Sequence, residues 1–306
     1  MSHCLIVSLS HCLIVKLSHC LIVSLTHWQI VKLSHCLIDT LANWQISCIF
    51  APYLEKMNTA LVETFSDSLV IIPTYNEIEN IESIIRVTLL QAHHFDVLIV
   101  DDNSPDGTAQ RVKQLQQEFP DRLFLAERTE KTGLGTAYIH GFLWGLRSEK
   151  RYSYFFEMDA DFSHNPSDLI RLYRTCKEQH ADMAIGSRYV KGVNVVNWPL
   201  RRILLSYGAS FYVKLITGMR VQDPTAGFIC YRRKVLESID FDKIKFVGYA
   251  FQIEMKYKAY VKKFRLSEVS IVFTDRVRGK SKMNASIIRE AIFGVIAMRI
   301  RQLFSS

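Results

Sequence analysis

From residue 68 onward, short apolar runs alternate with segments of helical periodicity. Ser68-Leu-Val-Ile-Ile72, Asp96-Val-Leu-Ile-Val100, Leu123 to Ala126, the aromatic run Tyr152 to Phe156, and Asp182-Met-Ala-Ile-Gly186 read as five buried strands. Between them, Asn80 to Leu90 places Ile81, Ile84, Ile85 and Leu89 on one helical face. Ala109 to Phe119 reads as a second helix, and Lys131-Thr-Gly133-Leu-Gly135 opens a third that runs through Gly141 and Trp144. Asn165-Pro166 is expected to cap and start a helix after the fourth strand. Strands alternating with helices predict an α/β fold: a mostly parallel, Rossmann-like sheet with helices on both faces. Three of the strands end in polar residues, at Pro73-Thr-Tyr-Asn-Glu77, at Asp101-Asp102 and at Asp159-Ala-Asp161. The carboxyl edge of such a sheet is where open α/β folds bind nucleotides.

The chain before this pattern is different. Ser2-His-Cys-Leu-Ile-Val7-Ser-Leu9 recurs four times, to Leu41, with a decaying copy to about Cys48. A period of eight residues matches no solenoid, propeller or heptad unit, and no apolar stretch is long enough to span a bilayer or is built like a signal peptide. Three origins compete: a β-rich repeat, a Cys/His metal array, and a tandem DNA repeat translated from too early a start. Each of Cys4, Cys12, Cys20 and Cys36 follows a histidine directly, a poor spacing for one tetrahedral zinc. Met57 immediately precedes the patterned domain, so the early start is the reading favoured here. The expected organisation is therefore residues 1–56 outside the functional protein or disordered, a catalytic domain over 57–284, and an amphipathic helix over 285–306. A chain beginning at Met57 is expected to fold and turn over like the whole.

Setting the repeats aside changes the composition. Residues 1–56 hold three lysines against one aspartate and one glutamate, so +7 of the chain's net +8 belongs to the remainder. Of the seven cysteines only Cys176 and Cys230 lie outside the repeats, which points to the reducing cytosol. A basic balance suits a phosphate-rich ligand or an anionic membrane surface; no nucleic-acid-binding motif is present. Two phosphate motifs are excluded by their own spacing. Gly133-Leu-Gly135 would need a third glycine at Tyr138, and Gly279-Lys-Ser281 would need one at Thr274, so neither a dinucleotide fingerprint nor a P-loop is present.

Asp159 and Asp161 put two hard oxygen donors at a strand end, suited to a divalent cation that also grips a diphosphate. A solvated turn carrying two acids is the competing reading of that pair taken alone; both side chains are expected to face solvent. The wider set decides. Pro73-Thr-Tyr-Asn-Glu77, Asp101-Asp-Asn-Ser-Pro-Asp-Gly-Thr108, Lys131-Thr-Gly-Leu-Gly135, Met158-Asp-Ala-Asp161, Gly186-Ser-Arg-Tyr189, Asp223-Pro-Thr-Ala-Gly-Phe228 and Asp275-Arg-Val-Arg-Gly-Lys-Ser-Lys282 follow one another along the chain. Together they resemble the GT-A glycosyltransferases of family 2 and, within that family, the dolichyl-phosphate (polyprenyl-phosphate) mannosyltransferases. The resemblance runs from about Ser66 to Lys282. It implies a GT-A fold and metal-dependent, inverting transfer of mannose from GDP-mannose to a polyprenyl phosphate.

The resemblance also assigns residues. Pro73, Tyr75, Glu77, Val100 and Asp102 would hold the nucleoside. Asp159 and Asp161 would bind Mg2+ or Mn2+ at the diphosphate, with Ala160 between them. Ser163 stands where the archaeal type of the family has a glutamine, as in the eukaryotic type; its hydroxyl is the weaker metal ligand. Arg188, Arg202 and Ser206 would surround the acceptor phosphate, and Arg276 and Lys282 would reach the phosphates from a mobile loop. Arg202 and Ser206 are four apart on a predicted helix, hence on one face, and bidentate arginines suit phosphate oxygens. Solvation is the ordinary fate of any single surface arginine, and helix capping that of Asn76-Glu77. No general base is nominated, because a phosphate monoester is already ionised near neutral pH. UDP-glucose, or a different acceptor, is the alternative within the same class; a sugar-nucleotide binding module is the alternative outside it. Ala291 to Met298 is apolar for only eight residues between charged flanks. It is therefore either an interfacial helix or a core-packing one. The expected location is cytoplasmic, peripheral at the inner face of the cytoplasmic membrane, where a membrane subunit could join it.

Overall fold

The computed structural model describes residues 66–248, 250–275 and 285–304, with side chains of the last segment described over 293–302. The octapeptide run, Arg276 and Lys282 lie outside the described residues. Strands β1 (Ser68–Thr74), β2 (Phe95–Asp101), β3 (Leu123–Glu127), β4 (Tyr154–Glu157) and β5 (Met183–Ser187) match the five apolar runs within two residues. Helices α1 (Ile81–Leu89), α2 (Thr108–Gln116), α3 (Leu134–Arg147) and α4 (Asp168–Lys177) connect them. The helix expected to start at Asn165-Pro166 begins later, at Asp168. Asn165 instead folds its own carboxamide back, accepting from Ser167 N at 3.0 Å and Ser167 Oγ at 2.8 Å. That Asx turn competes with helix initiation.

Beyond β5 come the two-residue strand β6 (Val195–Val196), α5 (Leu200–Thr217), β7 (Ile229–Arg232), α6 (Arg233–Ser238), α7 (Ala250–Val261), β8 (Leu266–Ser270), β9 (Phe273–Thr274) and α8 (Ala285–Phe304). The seven-stranded sheet has the order β3-β2-β1-β4-β7-β5-β8. All neighbours are parallel except β7, which runs antiparallel between β4 and β5. The fold is thus the expected mostly parallel α/β sheet with one reversed strand. Two core clusters cover its faces. One gathers Val70, Ile84, Phe95, Phe156 and Leu172; the other gathers Ile71, Leu98, Phe142, Phe155 and Phe251. Strands buried on both sides are apolar along most of their length, which is why they read as nearly continuous runs.

The glycines of Lys131–Gly135 serve packing. Gly133 has φ 119° and a Cβ there would lie 2.9 Å from the Val247 carbonyl oxygen; a Cβ on Gly135 would lie 2.7 Å from the Phe251 ring. They let the start of α3 approach α7 closely.

Candidate active site

Three loops meet at the carboxyl edge of the sheet, and each turns through a left-handed residue: Asn76 after β1 (φ 57°), Asn103 after β2 (φ 58°) and Phe162 after β4 (φ 61°). Asparagine tolerates that region; a phenylalanine there is strained, as backbones at functional sites often are. The first two loops are clipped together. Asn76 N donates to Ser104 Oγ (3.0 Å), Glu77 N to Thr108 Oγ1 (3.1 Å) and Ile78 N to Asp106 Oδ2 (3.0 Å). Asp101 is wholly buried as the anchor of this clip, accepting from Thr74 Oγ1 and from Ser104 N and Oγ.

The nucleoside candidates frame these loops. Pro73, Tyr75 and Glu77 are half-buried, and Val100 lies in the core beneath them. Lys131 Nζ sits 4.1 Å over the Tyr75 ring. Glu77 Oε2 accepts a bond from Asn80 Nδ2 at 3.1 Å, and its backbone carbonyl accepts the Ile81 N–H at the start of α1 at 2.9 Å. Asp102 is buried and accepts from Arg128 Nε at 2.6 Å; burial, only partly offset by that guanidinium, pushes its carboxyl up from the usual range. Arg128 also reaches Thr132 and Thr136 at the mouth of α3.

At the end of β4 the two aspartates differ. Asp159 is partly exposed and accepts from the Tyr138 hydroxyl at 3.3 Å. Burial and then the Asp159 charge push that phenol far above its ordinary value, so it stays a donor. Asp161 was expected to face solvent but is only 8 % exposed, its Oδ1 accepting from Ser163 N at 3.0 Å. The left-handed turn at Phe162 folds the carboxylate back onto its own loop. Ala160 and Ser163 are buried beside it. His164, also buried, accepts the Asp159 N–H at Nδ1 (3.1 Å) and stacks on Phe228 with centroids 4.8 Å apart.

The arginines lie on the other side. Arg188, just past β5, grips the fully buried Asp223 in a fork: Nε to Oδ2 at 2.7 Å and Nη2 to Oδ1 at 2.6 Å, with Nη2 also 2.8 Å from Thr225 Oγ1. Burial works to raise the Asp223 carboxyl, but the Arg188 charge and bonds outweigh it and hold the group below the usual range. Arg202, in the first turn of α5, pairs with Asp275 at 2.7 Å and lies 4.0 Å over the Trp198 ring. Ser206 is one turn further along α5 and half-buried. A line of ring contacts joins the two sides. His164 meets Phe273 (5.6 Å), Phe273 meets Trp198 (5.4 Å), and Trp198 carries both guanidiniums, Arg202 at 4.0 Å and Arg188 at 5.6 Å.

Beyond the site, α5 buries only Ser210, Val213 and Thr217 of its 18 residues. Leu200, Leu204, Tyr207, Phe211 and Leu215 recur every three or four positions and are all more than half exposed, with Leu205 beside them. In α8, Val295 and Met298 pack against Val213, Ile253 and Tyr257, while Phe293 and Ile300 stay exposed. The C-terminal helix is thus a packing element on one side and an apolar surface on the other. No helix of the described residues is long and apolar enough to cross a membrane.

The family model "Glycosyl transferase family 2" matches residues 69–240. The polyprenol monophosphomannose synthase of Mycolicibacterium smegmatis is 47 % identical over 242 residues, covering 79 % of this chain and 90 % of that one. The undecaprenyl-phosphate mannosyltransferase of Micrococcus luteus is 43 % identical over 227 residues, covering 74 % and 91 %. Among solved structures, mannosyltransferase PcManGT from Pyrobaculum calidifontis, in complex with GDP-Man and Mn2+, shares the fold at a TM-score of 0.52 and 18 % identity, over 79 % of this chain and 65 % of that one. The family model spans more than half of the chain, and both relatives align over about nine-tenths of their own length. The protein therefore belongs to glycosyl transferase family 2 and is a glycosyltransferase of the GT-A fold.

Proposed function

We propose that the protein transfers mannose from GDP-mannose to a polyprenyl phosphate, giving polyprenyl-phosphate mannose and GDP with inversion of the anomeric carbon. The observation that carries this reading is the ring line His164–Phe273–Trp198, which joins a carboxylate pair to an arginine pair. Carboxylates suit a metal-bound diphosphate, and arginines suit a second phosphate. The two relatives named for mannosyl transfer to polyprenyl carriers agree with it.

The donor set fits Mg2+ or Mn2+. Asp159 and Asp161 offer hard oxygens, and no group of three His, Cys, Asp or Glu side chains gathers among the described residues. The remaining ligands would come from the diphosphate and water, with the Ser163 hydroxyl a weaker candidate. When bound, the cation would offset charge building on the leaving GDP. Tyr138 orients Asp159, and the clipped β1 and β2 loops hold the nucleoside between Tyr75 and Asp102. On the acceptor side, Arg202 exchanges the Asp275 carboxylate for the lipid phosphate while Arg188 stays fixed on Asp223. Ser206, on the same helical face as Arg202, adds a hydroxyl donor. An ionised phosphate needs placing more than deprotonating, so no base is required.

The exposed apolar stripe of α5 would lie on the membrane that carries the acceptor, with Arg201, Lys214 and Arg220 toward anionic headgroups. In that position the enzyme would sit at the inner face of the cytoplasmic membrane. The test is transfer of labelled mannose from GDP-mannose to a short polyprenyl phosphate, with and without EDTA. Lipid-soluble product that disappears with EDTA and returns with Mg2+ or Mn2+ is expected. Faster transfer from UDP-glucose, or no dependence on the phosphate of the acceptor, would overturn it.

A further inference from the structure

Behind the two halves of the site lies a buried ammonium that no feature of the transfer reaction requires. Lys256 sits in α7 among Phe251, Met255 and Ala259, and its side chain is inaccessible to solvent. Its Nζ donates to the Ala226 carbonyl at 2.5 Å and to the Gln252 carbonyl of its own helix at 3.0 Å. Among the charges that act on it through space, two carboxylates lead. One is Glu157, the last residue of β4, fully buried and accepting from the Tyr231 hydroxyl at 3.0 Å. The other is Asp223, the partner of Arg188. Burial pushes Lys256 down to about 8, with the Glu157 charge as the largest influence opposing it. An apolar side chain would cover this face of α7 without that desolvation.

What the ammonium joins explains its presence. Ala226 lies in the Asp223–Phe228 segment, which carries the Arg188 anchor at one end and the ring beneath His164 at the other. Glu157 lies two residues before Asp159 on the strand that presents both metal-ligand candidates. We propose that Lys256 is a positioning residue that pins the Asp223–Phe228 segment to α7, keeping Arg188, through Asp223, and the Asp159 loop, through Phe228 and His164, in register. This inference rests on the transfer reaction proposed above. It adds that the spacing of the two half-sites is set from below, by a residue that touches neither substrate.

The test uses the full chain, with Lys256→Met paired with Glu157→Gln so that no lone carboxylate is left buried, and with Lys256→Arg as the variant that keeps the charge. Three quantities are read: melting temperature, kcat and KM for GDP-mannose, and hydrogen exchange of a peptide covering 221–232. The double variant should melt close to the wild type, lose ten- to a hundredfold in kcat with KM within about twofold, and exchange that peptide about tenfold faster. Lys256→Arg should fall between wild type and double variant on both readouts, and it carries the test if the double variant does not fold. A folded variant in which kcat and exchange move independently, or in which neither moves, overturns the proposal. Should the wild type fail to transfer mannose, the reaction is misread; the exchange of 221–232 then decides the pinning by Lys256 separately.

Discussion

Arg188 and Arg202 are the same residue type on the same side of one site, yet they are held in opposite ways. Arg188 makes three charge-assisted bonds to Asp223, whose carboxylate is fully buried, and its own side chain is 11 % exposed. Arg202 makes one bond to Asp275, and both members of the pair remain about one-third exposed. Breaking the first pair strands a charge in the interior; breaking the second returns both groups to water. A buried fork can orient its neighbours but cannot easily let go, whereas a surface pair can trade its carboxylate for a phosphate. The same contrast separates the strand-end loops, clipped by backbone donors, from α5, which is anchored by three buried side chains. The strand-end loops and the Arg188–Asp223 fork are built to stay still, and Arg202 on α5 to exchange its partner.

The largest effect that sharpens this contrast belongs to Asp223. Asp223→Ala leaves Arg188 buried without its partner and should cost about 3–5 kcal/mol of stability, read by chemical denaturation. Asp275→Ala should cost about 1 kcal/mol or less, as exposed pairs do. Equal losses would erase the distinction. Because the Asp223 carboxyl is held below its unfolded value, its contribution is present above about pH 4 and is lost as pH falls through the folded value. Asp223→Ala should accordingly flatten the acid limb of the stability curve.

Next comes the metal side. Asp161→Asn keeps an oxygen for the Ser163 N–H, so the turn and the melting temperature should persist. Turnover should fall by about two to three orders of magnitude, roughly 3 kcal/mol of transition-state stabilisation. Normal turnover in a well-folded Asp161→Asn enzyme would show that the site is elsewhere.

Arg202→Ala follows, at roughly 1.5–3 kcal/mol for a charge-assisted bond. The efficiency with polyprenyl phosphate should drop about ten- to a hundredfold, while GDP binding with Mn2+, measured by calorimetry, stays unchanged. Arg202→Lys should recover part, since the planar fork is lost. An equal weakening of GDP would move Arg202 to the donor half.

What the sequence could show of this site follows from the same physics. Strands buried on both faces have to be apolar, and polar residues at their ends stand out against that background, so the three edge loops and Asp159-Ala-Asp161 were legible. Contacts set by topology were not. Asp223 and Arg188 are 35 residues apart and meet because β7 runs antiparallel between β4 and β5. Asp161 gives no local sign of burial, since its exposure depends on the left-handed turn at Phe162. Lys256 sits in a run rich in lysine and tyrosine, where a solvated face is the natural expectation, and only the packing of α7 shows it enclosed. The apolar residues of α5 have the spacing of a core-facing helix; the pattern cannot say that the face is left uncovered.

That uncovered face sets the smallest of the expected effects. If α5 lies in the headgroup boundary, each leucine of its stripe gives up only part of its surface to lipid. Full burial of a leucine is worth roughly 1.5–3 kcal/mol, so partial insertion should contribute about 1 kcal/mol. Leu204→Ser should then weaken partition onto anionic vesicles roughly fivefold, measured by co-sedimentation, with no change in turnover on a detergent-dispersed acceptor. Leu90 supplies the control. It is 76 % exposed, more than Leu204, but it follows the last turn of α1, at the sheet edge away from the strand carboxyl ends. Leu90→Ser should leave partition untouched. Raising salt from about 0.1 M to 1 M shortens screening from about 10 Å to 3 Å; it should remove the contribution of Arg201, Lys214 and Arg220 and leave the apolar part. Should the two leucine variants behave alike, the membrane meets some other face, and Arg202 must reach its phosphate without α5 lying in the headgroups.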